Sequence, residues 1–297
     1  MTATPIHSTK VDKVFDVFNY TIMIILLAIV IYPLWFIVIA SFSDPNAVNA
    51  GEVWLLPKDI MLDGYKRIFT MPKIWIGYKN TIYYTVVGTM ISVLATITGG
   101  YALSKQYLPG GRIFMGALTF TMFFNGGLIP TYIVVNNLNL LDSIWAIVLP
   151  GAVSIWNLIM CRTFFKQSIP VDLEEAAELD GCSQIGFFLR IAIPLTKALT
   201  AIMVLYYMVG YWNEYFKGII YLSSAEKYPL QLILRDILIT NSNGDMVEDI
   251  RDRIQKQKTA ELLKYGVIIV STLPLLCAYP FVQKFFIKGV MIGSIKG

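Results

Sequence analysis

Five carboxylates, Asp172, Glu174, Glu175, Glu178 and Asp180, fall within nine residues that hold no Lys or Arg. Acid–base or metal chemistry would need partners for them, and the chain has one histidine, His7. Its three cysteines, Cys161, Cys182 and Cys277, lie far apart and give no disulfide framework or metal-ligand spacing. They read as small buried apolar residues. No Ser–His or Cys–His pair is available away from the N-terminal tail, and no G-x-x-x-x-G-K-[ST] phosphate loop is present. The clustered acids are also poorly suited to lie on anionic lipid. What remains for them is to meet another protein.

The elements that must position this cluster are apolar. Of 297 residues, 56% are hydrophobic and 15% charged, which excludes disorder and points to one membrane domain. The net charge of +4 gives no case for a nucleic-acid partner. A crossing helix needs about 20 apolar residues. Six stretches qualify, at about 18–41, 80–104, 112–135, 142–161, 191–213 and 265–283. The uncharged run 20–40 is too long for a signal peptide and has no clean cleavage site after it. Backbone groups in lipid must be satisfied internally, so the expected fold is an all-α integral membrane protein with six transmembrane helices. Lys197 lies close enough to the start of the fifth span to snorkel.

An even number of spans puts both termini on one side. With that side cytoplasmic, the inside holds eleven of the 24 Lys and Arg residues but only seven of the 20 acids. The short loops agree: 105–112 carries Lys105 and Arg112, whereas 136–141 carries no base. The expected organisation is a cytoplasmic tail 1–17, a membrane domain 18–286 and a cytoplasmic tail 287–297. Outer loops cover about 42–79 and 214–264. The mixed-charge run 248–258 reads either as a solvated surface helix or as a docking surface.

The acidic cluster thereby falls inside. Asp172 with Glu175 three residues on is a D-x-x-E capping box, and Gly181 stands where a left-handed cap would end the helix. The spacing predicts a helix over 172–180, a second over about 183–190, and a span that Pro194 opens.

Glu175-Ala176-Ala177, then Gly181, then Ile191-x-Ile193-Pro194 resembles the EAA signature of ABC-importer permeases, with Ile193 where that family usually has Leu. Trp212-Asn213-Glu214 and the run from Tyr221 to Leu230 resemble the carbohydrate permeases related to the maltose importer. Gly126-Gly-Leu-Ile-Pro130-Thr-Tyr132 and the terminal Lys288–Gly297 run resemble a branch serving complex oligosaccharides, including alginate and pectin fragments. The similarity covers residues 15–297.

This resemblance implies the type I ABC-importer permease fold, a bacterial cytoplasmic (inner) membrane, and alternating access without catalysis by this chain. The implied partners are a second homologous permease, two ATPase subunits holding ATP and Mg, an external solute-binding protein and an oligosaccharide. The segment 171–190 would be the coupling helices, with Glu174, Glu175, Ala176, Ala177, Asp180, Gly181 and Pro194 as the coupling residues, and Lys296 and Gly297 would reach the ATPase. Glu214 would lie near the outer gate, and the loop 236–262 would meet the binding protein.

Sugars are held by aromatic faces and amide hydrogen bonds. Asn125, in a Gly- and Pro-interrupted third span, Trp156, Asn157, Tyr206, Tyr211, Trp212, Asn213 and Glu214 are therefore path candidates. Interfacial anchoring of the aromatic residues and helix packing by Asn157 are the alternatives. No excess of base lines the spans, so an acidic saccharide rests on the branch resemblance and a neutral one stays open. An integral membrane enzyme and an ATP-independent channel are the competing classes.

Overall fold

The computed structural model describes residues 9–240 and 262–280. Its helices in chain order are α1 (Lys10–Ser41), α2 (Pro45–Asn49), α3 (Asp63–Thr70), α4 (Pro72–Ser104), α5 (Gly111–Phe123), α6 (Leu128–Asn137), α7 (Ile144–Val148), α8 (Ile155–Ser168), α9 (Val171–Leu179), α10 (Gln184–Leu195), α11 (Lys197–Trp212), α12 (Phe216–Tyr221), α13 (Leu230–Thr240) and α14 (Leu262–Pro280). No strand occurs among the described residues. They fall into two compact units, 9–70 with 238–240 and 262–270, and 71–237 with 271–280.

In the first unit, Thr9 and Asp12 close a capping box that starts α1 eight residues before the expected span. From Lys10 to Trp35 this helix is exposed on all sides, as suits a helix solvated by lipid. Its last turn joins a small core of Ile39, Ala40, Ala47, Val48 and Val53. The Phe36 ring meets Tyr265 edge-on at 5.9 Å, and the Tyr65 hydroxyl lies 2.8 Å from Ser41 Oγ.

The second unit is organised on α4. This helix presents Gly77, Thr81, Thr85, Gly88, Ser92, Thr96 and Gly100 along one buried seam. Small residues at every third or fourth position let neighbouring helices approach closely where hydrophobic driving force is weak. Polar bonds then join them: Ser92 Oγ to Tyr211 Oη at 2.9 Å and Thr96 Oγ1 to Tyr207 Oη at 2.6 Å. Further along, Cys161 of α8 packs over Gly100.

Besides the early start of α1, the second to fifth expected spans each differ from these helices. The second starts at Pro72 rather than about 80, because Pro suits the first helical turn and the helix continues through Lys73 and Lys79. The third is two helices, α5 and α6, meeting at 113°. The fourth is split by the Pro150-Gly151 turn into α7 and α8. The fifth begins at Lys197 and not at Ile191. Pro194 cannot donate to the turn before it, a π-turn occupies Phe188–Ala192, and Thr196 Oγ1 bonds back to Ala192 O at 2.8 Å, so the chain bends by 81°. Pro194 thus lies in the last turn of the preceding helix, which ends at Leu195, and does not open the span. Among the described residues, three helices are long and apolar enough to cross a membrane, or five if each bent pair is one crossing. The described residues thus do not show six continuous spans, and the tails before Thr9 and after Pro280 lie outside them.

Candidate coupling face and transport path

The acidic segment folds as the short helix α9, entered from Pro170 with no side-chain cap. Asp172 does not form the expected capping box. Pro170 already holds the extended geometry of the entry (φ −62°, ψ 144°), and Asp172 lies in the first turn, where a negative charge still favours the helix N-terminus. The other end is as expected. Gly181 is left-handed at φ +77°, its N–H donates to Glu178 O at 2.9 Å, and Cys182 N–H donates to Ala177 O at 2.9 Å. These paired bonds form a Schellman motif. Ser183 then caps α10, its Oγ accepting from Gly186 N at 3.1 Å.

The two faces of α9 differ. Ala177 and Cys182 pack inward on a core of Ile97, Tyr101, Cys161, Phe165, Phe187 and Leu199, the meeting point of α4, α8, α10 and α11. Glu174 points the same way. Its carboxylate lies 2.6 Å from Lys105 Nζ, and Tyr107 Oη donates to its Oε1 at 2.9 Å. Glu174, grouped with the docking residues in the sequence reading, is therefore held within the chain. Burial first, and the Glu174 carboxylate second, push the Tyr107 phenol up to about 12, so it stays a donor. Asp172, Glu175, Ala176 and Asp180 are exposed, as is Pro194. Leu179 stands between them, 90% exposed, with Ile185 and Leu189 exposed on α10.

At the other end of α4, one loop clasps another. Asp142 adopts φ +51°, a left-handed geometry Asp tolerates. Its Oδ1 accepts from the Ser223 and Ser224 N–H groups at 3.0 Å each, and its Oδ2 accepts from Ser224 Oγ at 2.6 Å and Lys227 Nζ at 2.7 Å. Lys227 first and Ser224 second hold the Asp142 carboxyl well below the usual carboxylate range. Tyr84 Oη donates to Lys227 O at 2.7 Å and Asn80 Nδ2 to Glu226 O at 2.7 Å, fixing the clasp on α4.

The path candidates separate. Tyr211 and Trp212 are buried: Tyr211 Oη donates to Val148 O at 3.0 Å, and Trp212 Nε1 to Ser271 O at 3.0 Å. Asn213 Nδ2 bonds back to Val209 O, and Asn125 Oδ1 accepts from Gly127 N within its own turn. Glu214 pairs with Lys217 at 3.4 Å, whose Nζ also reaches Ile147 O at 3.2 Å. Asn157 is not deep in a span but in the first turn of α8, half-buried. Tyr206 and Trp156 are exposed, and Trp156 opens onto an apolar groove with Met160 and Phe164. The structure gathers Tyr211, Glu214 and Lys217 beside α7. It does not bring Asn125, Trp156 and Tyr206 into that group. Lys296, Gly297 and residues 241–261 of the outer loop lie outside the described residues.

No family model matches the chain. Over 295 residues it is 41% identical to Protein LplC of Bacillus subtilis (strain 168), with 98% of each chain covered. It is 39% identical over 288 residues to the polygalacturonan/rhamnogalacturonan transport system permease protein YtcP of the same organism, covering 96% of this chain and 99% of that one. Its backbone matches, at a TM-score of 0.83 and 33% identity, a chain in the crystal structure of a bacterial ABC transporter involved in the import of the acidic polysaccharide alginate. That match covers 95% of this chain and 100% of the other. The chain belongs to the carbohydrate ABC-importer permeases. This permease is an integral membrane transport subunit and not an enzyme, and its fold is that of the ABC-importer permeases. Membership implies a partner permease, an ATPase and a binding protein.

Two groups escaped the sequence reading of this permease. Lys105 counted only as an inside base, because nothing local ties it to Glu174, 69 positions on. Asp142 had no motif, although the Leu-Ser-Ser-Ala-Glu-Lys run that grips it was noticed for its resemblance alone.

Proposed function

We propose that this permease pairs with a second, homologous permease to import an acidic oligosaccharide released from a uronate polymer. The observation that carries this reading is that YtcP and the alginate importer, both above 30% identity over nearly the whole chain, bear names that specify uronate-containing polysaccharides. A neutral oligosaccharide is the second reading, favoured by the absence of any Lys or Arg from 80 to 104.

In this reading an external binding protein delivers the sugar, and two ATPase subunits holding ATP and Mg drive alternating access. Glu175, with Ala176, Asp180 and Gly181 about it, pairs with a basic side chain of the ATPase. Leu179 fills an apolar recess there, a burial worth about 1.5–3 kcal/mol for a Leu. Glu214 stands near the outer gate with Lys217, while Asn125, Trp156, Asn157 and Tyr206 supply path surface. Tyr211, Trp212 and Asn213 hold the helices that frame the path. Lys296 and Gly297 extend the inner tail 287–297 toward the ATPase, and the tail 1–17 lies on the same side of the bacterial cytoplasmic membrane.

The test is calorimetric binding of digalacturonate, mannuronate trisaccharide, arabinotriose and maltotriose to the cognate binding protein. Uronates should bind and the neutral sugars should not. Binding of neutral sugars alone would overturn the acidic reading and leave the permease assignment intact.

A further inference from the structure

Lys105 occupies a joint between three elements. It caps the C-terminus of α4, where a positive charge meets the negative end of the helix dipole. Its ammonium lies 2.6 Å from Glu174 of α9, 4.2 Å from the centre of the Tyr101 ring of α4 and 5.2 Å from that of Phe187 of α10. The Lys105 and Glu174 side chains retain only 10% and 14% of their accessible surface. A surface pair so placed would contribute little, but a pair this far removed from water resists separation, because parting it strands a charge. Tyr107 adds a second tie: its hydroxyl lies 2.9 Å from Glu174 Oε1 and 3.2 Å from Gln184 Oε1, so one side chain reaches both short helices.

The far part of α4 is also gripped. Asn80, Thr81 and Tyr84 hold the 226–230 segment, through Glu226 O, the Leu230 N–H and Lys227 O, and Lys227 holds Asp142. Between these grips the seam packs closely against α8 and α11. Gly88 touches the Tyr211 ring, and Gly100 touches Cys161.

We infer that Lys105 is a positioning residue of the transport cycle: it locks the α9–α10 pair to the end of α4, so that a displacement of the acidic helix moves α4 as one body and reaches the Asp142–Lys227 clasp. The inference rests on the reading of α9 as the helix that docks the ATPase. Glu175 makes the docking contact, and Lys105, on the opposite side of α9, carries its displacement inward.

The test uses the complete complex, with partner permease and ATPases, in lipid nanodiscs. Spin labels at Leu94→Cys on α4 and Glu178→Cys on α9, in a Cys182→Ala/Cys277→Ala background, report the distance between the two helices without nucleotide and after vanadate trapping of ATP. Both labelled positions are exposed, and Cys161 is buried. The native complex should show one narrow distance, the same in both states. Lys105→Arg keeps the charge and should behave as native. Lys105→Met and Glu174→Gln should lose the single distance on trapping while the ATPase still co-purifies, and the exchanged pair Lys105→Glu/Glu174→Lys should recover it.

A native distance that changes on trapping, or a Lys105→Met complex indistinguishable from native, overturns the inference. So does loss of the ATPase by Lys105→Met to the extent caused by Glu175→Lys, which would put Lys105 in the docking surface. Glu175→Lys separately tests the docking reading. If that variant recovers the ATPase normally, the docking reading fails, whatever Lys105 does.

Discussion

At the scale of single residues, charge placement separates residues that composition treats alike. Glu174 and Glu175 are adjacent acids, yet one is paired inside the chain and the other is exposed. Neither identity nor spacing distinguishes them, because the choice depends on which side of α9 meets α4. Gly181 was legible, since a left-handed helix end is a local property of the backbone. Asp142 was not, since its partners lie about 80 positions away and its bonds exist only once the loops meet. The lowered Asp142 carboxyl fixes the sign of a pH effect. A group whose folded pKa is depressed contributes stability above its ordinary pKa, about 3.9, and loses that contribution as pH falls through the folded value. The clasp should therefore hold from pH 7 to below about 4. Asp142→Asn should lower the stability of the solubilised permease by about 1–2 kcal/mol at neutral pH, the usual range for a charge-assisted bond lost at a partly exposed site. Thermal unfolding followed by intrinsic fluorescence reads this, and identical melting of variant and parent at pH 7 would rule the clasp out as a stabiliser.

At the scale of elements, hydropathy located the apolar mass well and its interruptions poorly. The run that became α1 was plain because that helix is exposed from Lys10 to Trp35 and only its last turns meet the rest of its unit. The breaks at Pro150-Gly151 and Thr196 carry the same average hydropathy as intact helix, so a window of about 20 residues passes over them. The α4 seam is the element whose packing is easiest to test. A methyl group on Gly88 would stand 2.6 Å from the Tyr211 ring, and that ring is tethered at its hydroxyl by Ser92 and Val148 O, so it cannot swing aside. Gly88→Ala should cost about 1–3 kcal/mol by overpacking. Tyr211→Phe in the Gly88→Ala background keeps the ring but removes its tether, and should recover part of the loss. Recovery of folded protein from detergent extracts at rising temperature compares the three forms, and full tolerance of Gly88→Ala would show that α4 and α11 part easily.

At the scale of the whole molecule, the contacts within the second unit sort the loops by end. The 105–110 turn meets α9 at one end of α4, whereas the Asp142 turn and the 223–228 segment meet near the other. The proposed orientation, read from the charge of the short loops, puts the first end in the cytoplasm. A membrane-impermeant maleimide should label Glu226→Cys in intact cells and Gln106→Cys only after permeabilisation, and the reverse pattern would invert the topology. The length of α4 has a consequence for the bilayer itself. At 1.5 Å per residue its 33 residues span about 50 Å, and Asn80 and Lys105 stand about 38 Å apart along it, beyond the roughly 30 Å of hydrocarbon. Both grips therefore sit at or outside the headgroups. A membrane a few ångströms thinner or thicker changes which residues of α4 meet the acyl chains and leaves both grips outside them, so the permease can work in lipids of differing chain length without re-registering the contacts at either end.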